Sequence, residues 1–265
     1  MTWNLHRKEI LDGDQLRAML QDHPASAAKA ILIAAQENLP DAQALLGQIL
    51  LDGTGIEQDA ALALVWFQIA ARNGHAMARN MVGRCREHGW GCEPDASKAA
   101  ENYRLAAEAG LDWGFYNFGN LLATGRGVNK DQARALACYR KAASIGHAKS
   151  MNLLGRYLEE GLCCEQNLAA AHDWYRRSAL AGDFRGQFSH AAVLADQGEL
   201  DEAILWFKKA LHIGNLNFLR VSRKTLLSAP QPRILALAED YYRKAAALGD
   251  ERDQIAWIEL NKQPA

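Results

Sequence analysis

Two glycine-flanked turns, Gly89-Trp90-Gly91 and Gly125-Arg126-Gly127, are the stretches of this chain that most suggest phosphate chemistry. A phosphate-cradling loop needs a preceding strand and a continuation into G-K-[ST], and neither turn has them. Cys163 and Cys164 are adjacent, without a C-x-x-C partner or a histidine at zinc spacing, so they do not read as metal ligands. The eight histidines are scattered; His75 and His147 each follow a glycine that closes a repeat and read as turn residues, and His88 and His172 stand in no catalytic pattern. No catalytic residue, metal ligand or cofactor is expected.

Binding is the chemistry the remaining polar residues suit. Successive first helices offer Asn80 and Arg84, then Trp113, Tyr116 and Asn120, then Asn152 and Arg156, then Arg185 and Phe188. Asp41, Gln48, Asp52, Glu87, Lys149 and Glu159 lie on the same outward phase. Asparagine bonds both the N–H and the C=O of an extended peptide, and arginine forks onto carboxylates. Tyrosine and tryptophan add contact area at low entropic cost. The nine named residues are therefore expected to line a concave, partner-binding face. The competing reading is a solvated face laced with internal ion pairs. A second cluster, Arg220, Arg223 and Lys224 with Arg233, Arg243 and Lys244, suggests nucleic acid, but Glu239 and Asp240 interrupt it and nucleic acid is not expected as a partner.

The elements that position these residues are repeated ones. Gly47, Gly83, Gly119 and Gly155 recur every 36 residues, as do Gly53, Gly89, Gly125 and Gly161. Phe67, Tyr103, Tyr139 and Tyr175 recur, and so do Asp59, Asp95 and Asp131, with Asn167 in the fourth copy. A period in this range marks a stack of helical hairpins. In the third copy Phe115, Phe118, Leu121 and Leu122 form a helical stripe, Gly125-Arg126-Gly127 turns the chain, and Asp131 N-caps a second helix ending at Gly146. Glycine inside a helix costs about 1 kcal/mol against alanine. Its recurrence inside the first helix predicts close contact with the partner helix.

Residues 1–40 read as N-terminal capping helices, Gln15–Gln21 and Ser26–Glu37. Residues 41–214 hold five repeats, the fifth four residues shorter. Residues 215–265 hold a degenerate copy, broken at Pro230-x-Pro232, and a closing helix over Glu251–Asn261. The fold expected is an all-α, right-handed α-solenoid superhelix of about six hairpins with caps. Charge is balanced at −1, which removes any global attraction to nucleic acid or anionic lipid. No run approaches the roughly 18 apolar residues of a membrane span, and the first residues lack the apolar core of a secretory signal. A cytoplasmic protein with reduced thiols is the expectation. Of the five cysteines, only Cys92 and Cys164 stand at equivalent positions.

Gly119, Gly125, Gly127, Val128, Asp131, Ala135, Tyr139, Ala142, Ala143 and Gly146 resemble the Sel1-like repeat, a subfamily of tetratricopeptide-like hairpins. Gly47, Gly53, Gly55, Asp59, Ala63, Trp66, Phe67, Ala70, Ala71 and Gly74 match equally. The likeness is close from Ala42 to Gly182 and loose from Phe184 to Gly249, where the fifth copy is more like an ordinary tetratricopeptide unit. It implies a bacterial, non-catalytic adaptor or scaffold, monomeric or weakly dimeric, that holds a protein or peptide segment. The alternative it leaves is an accessory or immunity-type protein that regulates a partner enzyme. Some secreted members staple hairpins with disulfides, which would pair Cys85 with Cys92; the absent signal speaks against it.

Overall fold

The computed structural model describes residues 21–262, and among them every regular element is a helix. The expected helix Gln15–Gln21 falls, but for its last residue, outside the described residues. The chain divides into two compact units, Met1–Lys130 and Asp131–Ala265. The first holds α1 (Pro24–Gln36), α2 (Pro40–Asp52), α3 (Ala60–Arg72), α4 (Ala76–His88), α5 (Ala96–Glu108) and α6 (Asp112–Thr124). The second holds α7 (Gln132–Ser144), α8 (Ala148–Glu160), α9 (Leu168–Leu180), α10 (Phe184–Asp196) and α11 (Leu200–Ile213). It continues with α12 (Leu216–Leu227), the single turn α13 (Pro232–Leu235), α14 (Leu237–Leu248) and α15 (Glu251–Lys262). Within each unit consecutive helices pack in antiparallel hairpins, the all-α solenoid class the period implies.

The caps fall where the sequence places them. Asp59, Asp95, Asp131 and Asn167 accept from the backbone N–H three residues on, at 2.8–2.9 Å, and so start α3, α5, α7 and α9. His75 and His147 have a sharper role than a turn: each Nδ1 accepts from a backbone N–H, of Ala78 and Ser150, and N-caps the next first helix. Asp183 does the same for α10 through Gly186, and burial pushes its carboxyl above the usual range.

The glycine inside α2, α4 and α8 is a notch for an aromatic of the following second helix. A Cβ on Gly83 would lie 2.6 Å from the ring of Tyr103, and one on Gly155 2.5 Å from that of Tyr175. Gly47 receives Phe67 in the same way, at 2.7 Å. The tyrosine hydroxyls need an acceptor once buried. Tyr103 donates to Glu87 Oε2 at 2.6 Å and Tyr175 to Glu159 Oε2 at 2.7 Å, whereas the copy with Phe67, which has no hydroxyl, carries Leu51 at the position of the glutamate. Burial and the neighbouring carboxylate raise both phenols well above their ordinary pKa.

The second turn glycine solves a different problem. At Gly127 φ is +68, and a Cβ would meet the Ala96 carbonyl carbon at 2.3 Å, because the loop crosses the start of α5. The fourth copy breaks the rule: Cys163 occupies this position with φ +54, in the left-handed region that disfavours side chains. The Pro-x-Pro break also differs in detail from a single helix over Arg233–Leu248, since Ala236 interrupts it and separates α13 from α14.

Gly83→Ala is expected to lower stability in urea by about 1–3 kcal/mol, since the added methyl must displace the Tyr103 ring. Gly110→Ala meets nothing within 4 Å and carries only its backbone strain, at φ +85, of about 1 kcal/mol. Equal losses at the two positions would refute the notch.

Candidate functional site

The nine expected contact residues separate into exposed, half-buried and buried groups. In the first unit Asn80 is 2% exposed, so it does not face outward as the sequence reading has it. Its Oδ1 accepts from Asn117 Nδ2 at 2.8 Å, which ties α4 to α6. Gln43 is a similar buried rung, donating to the Ala35 carbonyl and accepting from Asn73. Arg84 stays half-buried at the surface with its guanidinium 4.9 Å from the centre of the Trp90 ring, and the His88 ring lies tilted against Trp90, 4.9 Å between centroids. Trp113 and Tyr116 meet edge to face at 5.9 Å, and Asn120 lies one turn beyond. Met77 is exposed on the same side of α4. Glu87 is not available as a contact residue, since it accepts from Tyr103 and pairs with Arg126.

In the second unit Asn152 is likewise buried, at 4% exposure, and its Oδ1 has no donor. The register explains why. Asn80 bonds the residue 37 positions on, and the residue standing in that relation to Asn152 is Ser189, whose side chain is shorter. Phe188 is drawn inward against Phe207, Phe218 and Tyr241, with ring centroids 4.9–6.1 Å apart, so it is a core aromatic and not a lining one. Glu159 is held by Tyr175. Arg156 is exposed beside Glu160, and Arg185 is exposed with its guanidinium over Phe184 at 4.7 Å.

The basic cluster near the end of the chain is internally paired. Asp253, 1% exposed, accepts from Arg220 Nε and Nη2 and lies 2.9 Å from Arg223 Nη1, an ion pair not aligned as a hydrogen bond. The Arg220 hydrogen bonds hold the Asp253 carboxyl below the usual carboxylate range. Arg233 pairs with Asp201, Arg243 with Asp240, and Lys244 donates to the Leu211 and His212 carbonyls. Lys224 is exposed.

The thiols are unpaired, including Cys85 and Cys92. Cys92 and Cys164 share a register because each S–H reaches the carbonyl seven residues back, of Cys85 and Tyr157. Burial pushes Cys85 and Cys138 up to about 11, which keeps both protonated at neutral pH. Among the described residues no cluster of His, Cys, Asp or Glu is arranged to hold a metal ion, and no helix is long and apolar enough to cross a membrane.

Repeated hairpins that bury their conserved-phase residues and leave varied side chains outward define a repeat scaffold. The Sel1 repeat model matches residues 40–75, 76–111, 116–147, 148–183, 195–215 and 235–250, and the chain belongs to the Sel1 repeat family. Such repeats are in general non-catalytic modules for protein–protein interaction. No curated protein matches the chain. The fold is similar to that of a Sel1 repeat protein from Oxalobacter formigenes, with TM-score 0.71, 22% identity, and 93% and 97% of the two chains covered. It is also similar to c5321, a protective antigen of uropathogenic Escherichia coli strains displaying an SLR fold. There the TM-score is 0.64 at 27% identity, and 96% of this chain covers 60% of that one. The immunity protein Pa5087 of Pseudomonas aeruginosa is a third, with TM-score 0.53, 17% identity, and 85% and 88% covered.

Ser189→Asn is expected to supply the donor that Asn152 lacks and to raise stability by about 1 kcal/mol in urea unfolding; no gain would mean the two positions do not meet. Asp253→Asn is expected to cost about 3 kcal/mol at neutral pH, because it strands the buried Arg223 and leaves Arg220 with Asp250 alone. The folded pKa of Asp253 is depressed, so its contribution is present above the unfolded value of ~3.9 and is lost as pH falls through the folded one. Urea curves of wild type and variant should therefore converge in acid; a gap that persists there would refute the assignment.

Proposed function

We propose that the chain is an adaptor that holds a segment of another protein on the outer sides of its first helices. The observation that carries this reading is the composition of that side in the first unit. Arg84 with Trp90 of the turn after α4, and Trp113 with Tyr116 on α6, set two aromatic contacts on neighbouring hairpins, and the Asn80–Asn117 bond ties α4 to α6. Aromatic and arginine side chains of this kind are enriched where binding energy concentrates. Asn120 adds an amide on the same helix. In the second unit Arg156 and Arg185 are the contact side chains, while Asn152 and Phe188 lie beneath them as positioning residues. The same reading assigns residues 1–40 to a cap, 41–214 to the repeats that bind, and 215–265 to the closing element. A cytoplasmic, bacterial setting fits this reading.

The test uses the whole chain as bait in native lysate, beside the variant Arg84→Ala, Trp113→Ala and Tyr116→Ala combined. A partner recovered by the wild type should be lost from the variant at unchanged thermal unfolding, since removing hot-spot side chains costs about 2 kcal/mol each. Undiminished capture by a folded variant would overturn the assignment. Where the captured partner is an enzyme, its activity in the complex separates a scaffold, which preserves it, from an immunity-type inhibitor, which abolishes it.

A further inference from the structure

A second face of the first unit carries a chemistry that the adaptor reading does not use. Between α3 and α5, floored by α4, lies an open crevice of about 290 Å³ lined by Arg72, Arg79, Arg86, Lys98, Glu101 and Asn102, among others. Four cations there face one carboxylate. Arg79 Nη2 donates to the Ala71 carbonyl at 2.8 Å, and Lys98 pairs with Asp95 at 3.0 Å. The guanidinium groups of Arg72 and Arg86 have no hydrogen-bond or ion-pair partner among the described residues.

The repeat register shows that this charge is a replacement. One copy earlier the same crevice exists between α1 and α3, about 260 Å³ in volume, and is lined by Leu32, Leu46, Leu50, Leu62 and Trp66. Adding 36 to each number gives Gln68, Val82, Arg86, Lys98 and Asn102, all of which line the cationic crevice. Position 86 is leucine in every other full copy, as Leu50, Leu122, Leu158 and Leu194. Position 102 is Trp66, Cys138 and Trp174 elsewhere. Packing alone would favour leucine and an aromatic here; Arg86 and Asn102 forgo that burial, Asn102 donating to the Lys98 carbonyl and Arg86 leaving an unpaired fork in the recess, with the exposed Arg72 at its edge. Recessed guanidinium groups recognise carboxylates in a bidentate manner.

We infer that these paired crevices form a docking site for an acidic segment of a partner protein, with its carboxylates in the Arg72–Arg86 crevice and an apolar side chain in the Leu50–Trp66 crevice beside it. Charge complementarity selects the acidic half, and the neighbouring apolar recess, one repeat away on the same side of the unit, selects a chain over a free anion. The site lies on other faces of the helices than Arg84, Trp113 and Tyr116, so it stands or falls separately from the proposed function.

Fluorescence anisotropy on the full chain tests it. The probes are fluorescein-labelled peptides with leucines in one half and glutamates in the other, in both orders. Saturable binding that weakens with added salt is expected. Arg86→Leu installs the residue of the other copies, so it should keep or raise the unfolding midpoint while weakening the peptide by about tenfold, the loss of one charge-assisted contact. Arg72→Ala, at an exposed site, should act in the same direction, and the Arg84, Trp113 and Tyr116 triple variant should leave the affinity unchanged. No saturable binding, or wild-type affinity in Arg86→Leu and Arg72→Ala, would overturn the inference. Inorganic phosphate binding more tightly than either peptide would also overturn it, as a pocket for a free anion.

Discussion

The contact of a second-helix aromatic with the bare backbone of a first-helix glycine sets the terms for everything else in each unit. Phe67 on Gly47, Tyr103 on Gly83 and Tyr175 on Gly155 bring paired helices closer than any side chain at the glycine would allow. The glycine's propensity cost, about 1 kcal/mol, is small beside the burial of a whole ring. Closeness then dictates the neighbours. Ala63, Ala70 and Ala71, and their equivalents Ala99, Ala106 and Ala107, are buried because only a methyl fits on that side of the helix. Tyrosine in place of phenylalanine adds a polar atom in a dry place, and the glutamate sixteen residues earlier answers it.

The same closeness buries polar side chains that would otherwise be solvated. Where first helices approach one another, an amide can reach across, and Asn80 with Asn117 does so. A buried amide is favourable only when it is paired. The second unit keeps Asn152 without that pair, along with a buried Gln187 Oε1 and His190 Nδ1, the latter on a ring whose pKa burial lowers. The two units are thus built on one plan, and the second is less completely satisfied at its polar rungs.

Much of this was legible in the sequence. The 36-residue period places the helices, the caps at Asp59, Asp95, Asp131 and Asn167, and the need for close contact at the internal glycines. Depth was not legible. Asn80 and Phe188 share a phase that a helical wheel turns outward, but Asn117 reaches across to the one and Phe207, Phe218 and Tyr241 close over the other. Glu87 and Glu159 looked like free acids because their partners are tyrosines sixteen residues away, on a different helix. The cluster around Arg220 and Arg223 looked basic because the carboxylate that neutralises it, Asp253, comes some thirty residues later on the closing helix. Periodicity reports which residues share a side; it does not report what else folds over them.

A repeat protein also separates structure from recognition in a way that a single copy cannot show. Residues that recur are those each hairpin needs in order to stack, so they carry little information about a partner. Departures from the repeat are the informative positions. Some are relaxations: Cys163 tolerates a strained backbone at an exposed turn, and Ser189 leaves a rung incomplete. Arg86 is different, because leucine would fill its site in the manner of four other copies, and arginine gives up that burial while finding no internal partner. A substitution that forgoes packing and pairs with nothing inside the fold has its remaining interactions outside it. That asymmetry distinguishes a surface shaped for something else from one left over by folding.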